Sequence, residues 1–160
     1  MQPAFWPTGR GLHLASASGR SCGRVRISAH RYDGKPMSAN FRLASISLDC
    51  PDPPGLAAFY ARLLGVEIDF KSDNFAAIRY GGMWLSMQRV EKYRSPIWPD
   101  GDVPQQIHLD MAVDDLDAAE SEALSVGATK AMVQPQPDRW RVMLDPAGHP
   151  FCLSTLIPDA

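Results

Sequence analysis

No run of apolar residues in this chain of 160 approaches the roughly 20 needed to cross a bilayer as a helix, so the sequence offers no transmembrane segment. Cysteine is scarce. Cys22, Cys50 and Cys152 stand far apart, form no CxxC pair and are odd in number, which fits reduced thiols in a cytoplasmic protein and no disulfide framework. Charge of one sign is lacking too: a net charge of −2 gives no whole-chain case for nucleic acid or an acidic membrane as partner. No glycine loop suited to phosphate, no Ser-His-Asp order and no paired catalytic carboxylate occurs. What remains is ordinary: 45% hydrophobic and 21% charged residues, in a length that suits one domain with a real core.

The first 40 residues differ from the rest by a shortage of their own. Up to position 36 they hold Arg10, Arg20, Arg24, Arg26, Arg31 and Lys35 against the single acid Asp33, about +5, which leaves about −7 for the remainder. Gly, Ser and Arg dominate and no apolar period persists, so residues 1–40 are expected to be a disordered basic arm. An over-extended start with Met37 as initiator, an arm for an anionic partner and an organelle transit peptide are the alternatives.

From residue 41 the pattern becomes periodic. In 41–50, Ile46, Leu48 and Cys50 alternate with Ser45, Ser47 and Asp49, as in a strand with one buried face. Pro51-Asp-Pro-Pro-Gly55 is a turn that opens a helix over 56–64, with an apolar stripe through Leu56, Phe59, Tyr60, Leu63 and Leu64 and Gly65 as its stop. Strands are expected over 66–70, 75–80 and 84–90, the last two joined by Gly81-Gly82. Residues 91–104 carry Pro96, Pro99 and Pro104 and form a linker.

The stretch 105–115 then reads as a strand with Ile107, Leu109, Met111 and Val113 on one face and Gln106, His108, Asp110 and Ala112 on the other. Asp114-Asp115 start a helix over 116–126, and strands follow over 129–133, 140–144 and 151–156. The segment from Ser45 to Asp52 lies on that from His108 to Asp115 at an offset of 63, and Leu56-Ala-Ala58 on Asp117-Ala-Ala119 at 61. A repeat of this kind sets the architecture. The expected fold is α+β: two βαβββ modules, 41–90 and 105–157, forming a curved mixed sheet around a cleft.

Phe59-Tyr60 followed by Leu63-Leu-Gly65, His108 with Val113-Asp-Asp-Leu-Asp-Ala-Ala119, Gly127-Ala128 and Asp145-Pro-Ala-Gly-His-Pro-Phe151 occur in order. In these the sequence over about 41–157 resembles the vicinal oxygen chelate superfamily, the glyoxalase, bleomycin-resistance and extradiol-dioxygenase group, and within it a glyoxalase-like subgroup. In metal-using members, the resemblance implies two ligands per module, one on its first strand and one on its last. Those places here are Ser45, Ser86 or Gln88, His108 and Cys152, of which only His108 keeps a common ligand type.

The expected protein is therefore a glyoxalase-like small-molecule binder or metal-independent enzyme, with His108 as the catalytic group. Ligand would rest against Ser45, Ser86, Gln88, Asp110 and Trp140, with Trp98 closing over it. The bland reading of His108 is a structural histidine bonded to Gln88 or Asp110. His149 is read as a turn residue, Cys152 as a small buried thiol and Asp114-Asp115 as helix-start residues. Two alternatives stand beside this: a non-catalytic sequestering protein of the bleomycin-resistance type, and a metal-dependent lyase, isomerase or dioxygenase with an altered ligand set including Cys152. No cofactor is expected beyond the open option of a divalent metal. The resemblance also implies a homodimer.

Overall fold

The computed structural model describes residues 31–32, 35–36 and 42–158. Met37, Cys22 and most of the basic arm lie outside the described residues. The chain divides into two units, Met1–Leu43 and Ala44–Ala160. In the first, β1 (Arg31–Tyr32) pairs antiparallel with β2 (Lys35–Pro36), a ribbon absent from the sequence expectation. The dipeptide between them is Asp33-Gly34, a favoured hairpin-turn pair that signals it in the sequence.

The second unit holds two modules. The first runs β3 (Ser45–Cys50), α1 (Pro53–Leu64), β4 (Ile68–Lys71), β5 (Phe75–Tyr80) and β6 (Met83–Arg89). The second runs β7 (Leu109–Ala112), α2 (Leu116–Ser125), β8 (Thr129–Lys130), β9 (Trp140–Leu144) and β10 (Pro150–Ser154). Each forms an open, curved four-stranded sheet, ordered β3-β6-β5-β4 and β7-β10-β9-β8. In both, the module's first strand lies parallel to its last and the other pairs are antiparallel. The α+β, twice-βαβββ expectation holds.

Both helices start on an aspartate at equivalent points of the repeat. The Asp52 carboxylate accepts from the Gly55 N–H at 3.2 Å, and that of Asp115 accepts from Asp117 and Ala118 at 2.8 and 2.9 Å. Helix α1 begins at Pro53, a turn ahead of its apolar stripe, because proline suits a first helical turn. Gly65 ends it in the left-handed conformation (φ 66°).

Side chains from the helix-facing sides of both sheets share one core. Leu48, Ile78 and Met87 come from the first module, Leu56, Phe59 and Tyr60 from α1, and Met143, Phe151 and Leu153 from the second module. The Phe59 ring meets Tyr60 edge-on at 4.9 Å and Phe151 at 6.0 Å between centroids. Helix α2 contributes only Ala123 to the fully buried set. Leu116, Ala119 and Val126 pack part-buried against the core, and ion pairs add to this: Arg141 on β9 donates to Glu120 (2.8 Å) and Asp117 (2.6 Å), and Lys130 pairs with Glu120 at 2.9 Å. Burial raises the Glu120 carboxyl, but hydrogen bonds from Lys130 and Arg141 outweigh it and leave the group below its ordinary range.

A buried carboxylate fastens the modules. Asp145 Oδ1 accepts the backbone N–H groups of Ala147 and His149, both at 2.9 Å. Its Oδ2 accepts the Tyr60 hydroxyl at 2.9 Å and lies 2.8 Å from His149 Nδ1. Tyr93, from the linker, donates to the Ala147 carbonyl at 2.9 Å and sits 3.1 Å from His149 Nε2. His149 is thus the turn residue expected, with both ring nitrogens engaged. The linker also crosses Gly148 so closely that a Cβ there would lie 2.8 Å from the Cβ of Ser95, and its φ of +89° independently favours glycine.

Several strands are shorter than expected, β7 and β8 with a consequence for the site face. Strand β8 stops at Lys130 because the Gln134 side chain serves the next edge of β9, accepting the Val142 N–H (2.9 Å) and donating to its carbonyl (2.7 Å). Strand β7 covers only 109–112, and 105–108 lie outside the ladder.

Candidate functional site

The second module's open face carries the cavity. Asp110 and Cys152 are direct partners across the parallel β7–β10 ladder, so their side chains project from the same side of the sheet. His108, two residues before Asp110, adds its imidazole there. The linker folds Trp98 onto this face, where it packs with Trp140 against Ala131, Val142 and Cys152. Trp98, Gln105, His108, Asp110, Trp140 and Cys152 together line a cavity of about 530 Å³, with Ser154 and Ile157 at its edge. No lysine or arginine is among the lining residues.

The polar atoms here are under-satisfied. Among the described residues, three buried side-chain atoms have no hydrogen-bond partner: Trp98 Nε1, Gln105 Oε1 and His108 Nδ1. All three belong to residues lining this one cavity. His108 Nε2 lies 3.6 Å from Asp110 Oδ1, beyond hydrogen-bond length, on a side chain that is 21% exposed. A buried donor or acceptor without a partner costs about 1–3 kcal/mol, and such groups gather where a ligand supplies the missing partner.

The surroundings of Cys152 disfavour its thiolate. Burial, reinforced by the nearby Asp110 charge, pushes its thiol up to about 11, opposite to the depression a reactive cysteine needs. A metal-ligating role is different, because coordination itself removes the proton. One atom each from His108, Asp110 and Cys152 lie within 4.8 Å of one another. This nitrogen, oxygen and sulfur set fits a borderline ion such as zinc and suits calcium or magnesium poorly.

The remaining candidates lie elsewhere. Ser45, Ser86 and Gln88 are on the first module's sheet and do not line the His108 cavity. The hydroxyls of Ser45 and Ser47 lie 3.3 and 2.7 Å from that of Ser86, which is fully buried. Since the apolar faces of both modules are committed to one core, the single chain does not fold its two polar faces over a common ligand. The four places implied by the resemblance are therefore not brought together. A second cavity of about 470 Å³ at the module junction touches Asp49, Lys92, Tyr93, Arg94, Gln106 and His149, but its histidine is already bonded on both nitrogens.

Among the lining residues, sequence reasoning missed Ser154, Ile157 and Gln105. Strict alternation from His108 puts Gln105 on the opposite face, and that rule fails because 105–108 are not in the ladder.

Residues 45–154 match the model of the glyoxalase-like domain. The chain belongs to the glyoxalase-like family. Its fold is that of the vicinal oxygen chelate superfamily. Similar solved structures include a glyoxalase/bleomycin resistance protein/dioxygenase family enzyme from Burkholderia phytofirmans PsJN, at 18% identity and a TM-score of 0.56 over 72% of this chain and 98% of that one. A glyoxalase-related enzyme from Fulvimarina pelagi matches at 17% identity and a TM-score of 0.54, over 71% and 86%. The fosfomycin resistance protein FosX from Mesorhizobium loti matches at 16% and 0.54, over 74% and 94%. At these identities the likeness concerns fold alone. No curated protein sequence matches this glyoxalase-like chain. No described helix is long and apolar enough to cross a membrane.

Proposed function

We propose that this glyoxalase-like protein binds a small organic molecule on the open face of its second module, between Trp98 and Trp140 and against His108. One observation carries the proposal: Trp98 Nε1, Gln105 Oε1 and His108 Nδ1 are all buried, unpartnered and gathered around one cavity. An indole N–H, an amide oxygen and an imidazole nitrogen ask for a ligand offering both acceptor and donor, and two tryptophans favour a flat one. His108, whose imidazole lies against the ligand, is the residue that would exchange a proton with it. Turnover would run through His108; without turnover the same cavity sequesters its ligand, as a resistance protein does. The family resemblance adds a homodimer to the proposal, to be checked by light scattering.

A tryptophan-fluorescence titration with a panel of planar heteroaromatic compounds tests this. Saturable quenching at one site per chain, weakened about tenfold or more in Trp98→Phe and His108→Ala, is the expected result, about 1.4 kcal/mol or more of binding. Equal quenching in wild type and both variants would overturn it. Bound compound recovered unchanged indicates sequestration. Product that forms in the presence of chelator and not in His108→Ala indicates an enzyme.

A further inference from the structure

We propose that His108, Asp110 and Cys152 hold one divalent ion of the zinc class, in a site built entirely within the second module. Three features carry this, the first two of them independent of the organic ligand. The first is placement. Asp110 and Cys152 are locked side by side by the β7–β10 register, and His108 stands two residues before Asp110, just outside the ladder, so two of the three donors are set by backbone hydrogen bonds and the third by the chain that leads into β7. The second is span. Zinc bonds of about 2.0–2.3 Å in a tetrahedral arrangement place donor atoms roughly 3.3–3.8 Å apart. Donor atoms within 4.8 Å of one another reach that spacing by side-chain adjustment alone. The third is availability: His108 Nδ1 is buried without a partner and its Nε2 lies beyond hydrogen-bond length of Asp110.

Three protein donors with the cavity on the open side is the arrangement of a zinc site that keeps a position for an exogenous group. Asp110 is decisive here. The places the superfamily resemblance implies include only one imidazole and one thiol from this module, with a serine and an amide or second serine from the other. Asp110 supplies the third strong donor without recourse to the first module, and its side chain lines the cavity and is 57% exposed. The ion would act as a Lewis acid toward whatever reaches the open position. The chain's own part is to hold two donors on the sheet and a third just before it, and to place Trp98 and Trp140 around them.

The test uses the full chain without an affinity tag, stripped by chelator and titrated anaerobically with Co²⁺. One equivalent should bind and give a thiolate-to-cobalt charge-transfer band with tetrahedral visible absorption, and one equivalent of Zn²⁺ should displace it. Cys152→Ser should abolish the charge-transfer band, and His108→Ala or Asp110→Asn should weaken binding at least tenfold. The spectrum should be unchanged in Ser45→Ala and Gln88→Ala. Unfolding curves of each variant guard against loss of fold, and Asp110→Asn, at a largely exposed isosteric position, keeps the test decisive if Cys152→Ser is unstable. A wild-type chain that takes up no Co²⁺ with a thiolate band would overturn the proposal, as would loss of that band in Gln88→Ala or Ser45→Ala. Failure of the organic-ligand titration leaves the cobalt spectrum untouched, so the two proposals fail separately.

Discussion

The two modules share a strand order, a parallel first-to-last pairing and an aspartate at each helix start, yet they differ in how the helix is held and in what the open face does. Helix α1 buries Leu56, Ala57, Phe59, Tyr60 and Ala61, whereas α2 buries Ala123 and is tied to its sheet by Arg141 and Lys130. On the first open face the Ser45, Ser47 and Ser86 hydroxyls satisfy one another. On the second, His108, Gln105 and Trp98 have atoms that nothing in the chain satisfies. The repeat therefore constrains the helix-facing half of each module, where packing sets the fold. The other half is free to differ, and among the described residues the unpartnered buried polar atoms all belong to the cavity of the second module.

The strongest break in this arrangement is at the carboxylate that joins the halves. Asp145→Ala strands the Tyr60 hydroxyl, the His149 imidazole and two backbone N–H groups, all buried. It should cost about 3–5 kcal/mol, a large part of the roughly 5–15 kcal/mol of a typical domain. Urea unfolding checks it, and a loss below about 1 kcal/mol would show that the junction is held by packing alone.

The same junction should respond to alkali. Burial first, then the Asp145 charge, push the Tyr60 and Tyr93 phenols well above their ordinary value, and burial pushes the Cys50 thiol up to about 12. These groups hold their protons in the fold beyond the pH at which the unfolded chain loses them. Their contribution is complete below the unfolded values of 9.0 for the thiol and 10.0 for the phenols, and falls as pH rises through that range toward about 12. Urea midpoints should be level from pH 7 to 8 and drop above about 9.

The contrast between helices sets a cost of the same size against a smaller one. Phe59→Ala should cost about 3–5 kcal/mol at any ionic strength, by cavity formation. Arg141→Ala should cost about 1–2 kcal/mol, less at 1 M salt, since it removes charge-assisted bonds from a partly buried network. Equal salt response in the two variants would mean that α2, too, is held by apolar contact alone.

Much of this was legible in the sequence because it is local or periodic. The alternation in 45–50, the α1 stripe, the Asp115 start and the Gly65 stop all follow from short-range rules, and the 63-residue offset fixes two copies of one module. The site was legible as a set of residues and not as a grouping. His108, Asp110, Cys152, Trp98 and Trp140 stand out singly. That Asp110 meets Cys152 depends on a parallel register between strands 42 positions apart, which no local pattern encodes. The expected grouping with Ser45 and Gln88 assumed two faces closing on one ligand, whereas the shared core under Phe59 and Phe151 keeps those faces apart within one chain. Tyr60 looked like core and is core, but its hydroxyl also selects Asp145 from 85 positions away.

The smallest expected effect discriminates best between the two open faces, because its sign matters more than its size. Ser86 is fully buried, with its hydroxyl 2.7 Å from that of Ser47 and a bond to the Ile46 carbonyl at 3.3 Å. Ser86→Ala removes a satisfied group and should destabilise by about 0.5–1.5 kcal/mol. His108→Leu removes a group of similar bulk whose Nδ1 is buried and unpartnered, so it relieves a desolvation cost and adds apolar contact beside Trp98 and Trp140. It should leave stability unchanged or raise it by up to about 1 kcal/mol, as happens where a site is kept at the expense of stability. Urea midpoints measured side by side decide the matter. If His108→Leu loses as much as Ser86→Ala, then His108 is a structural histidine like His149, and the two faces differ in residue type but not in role.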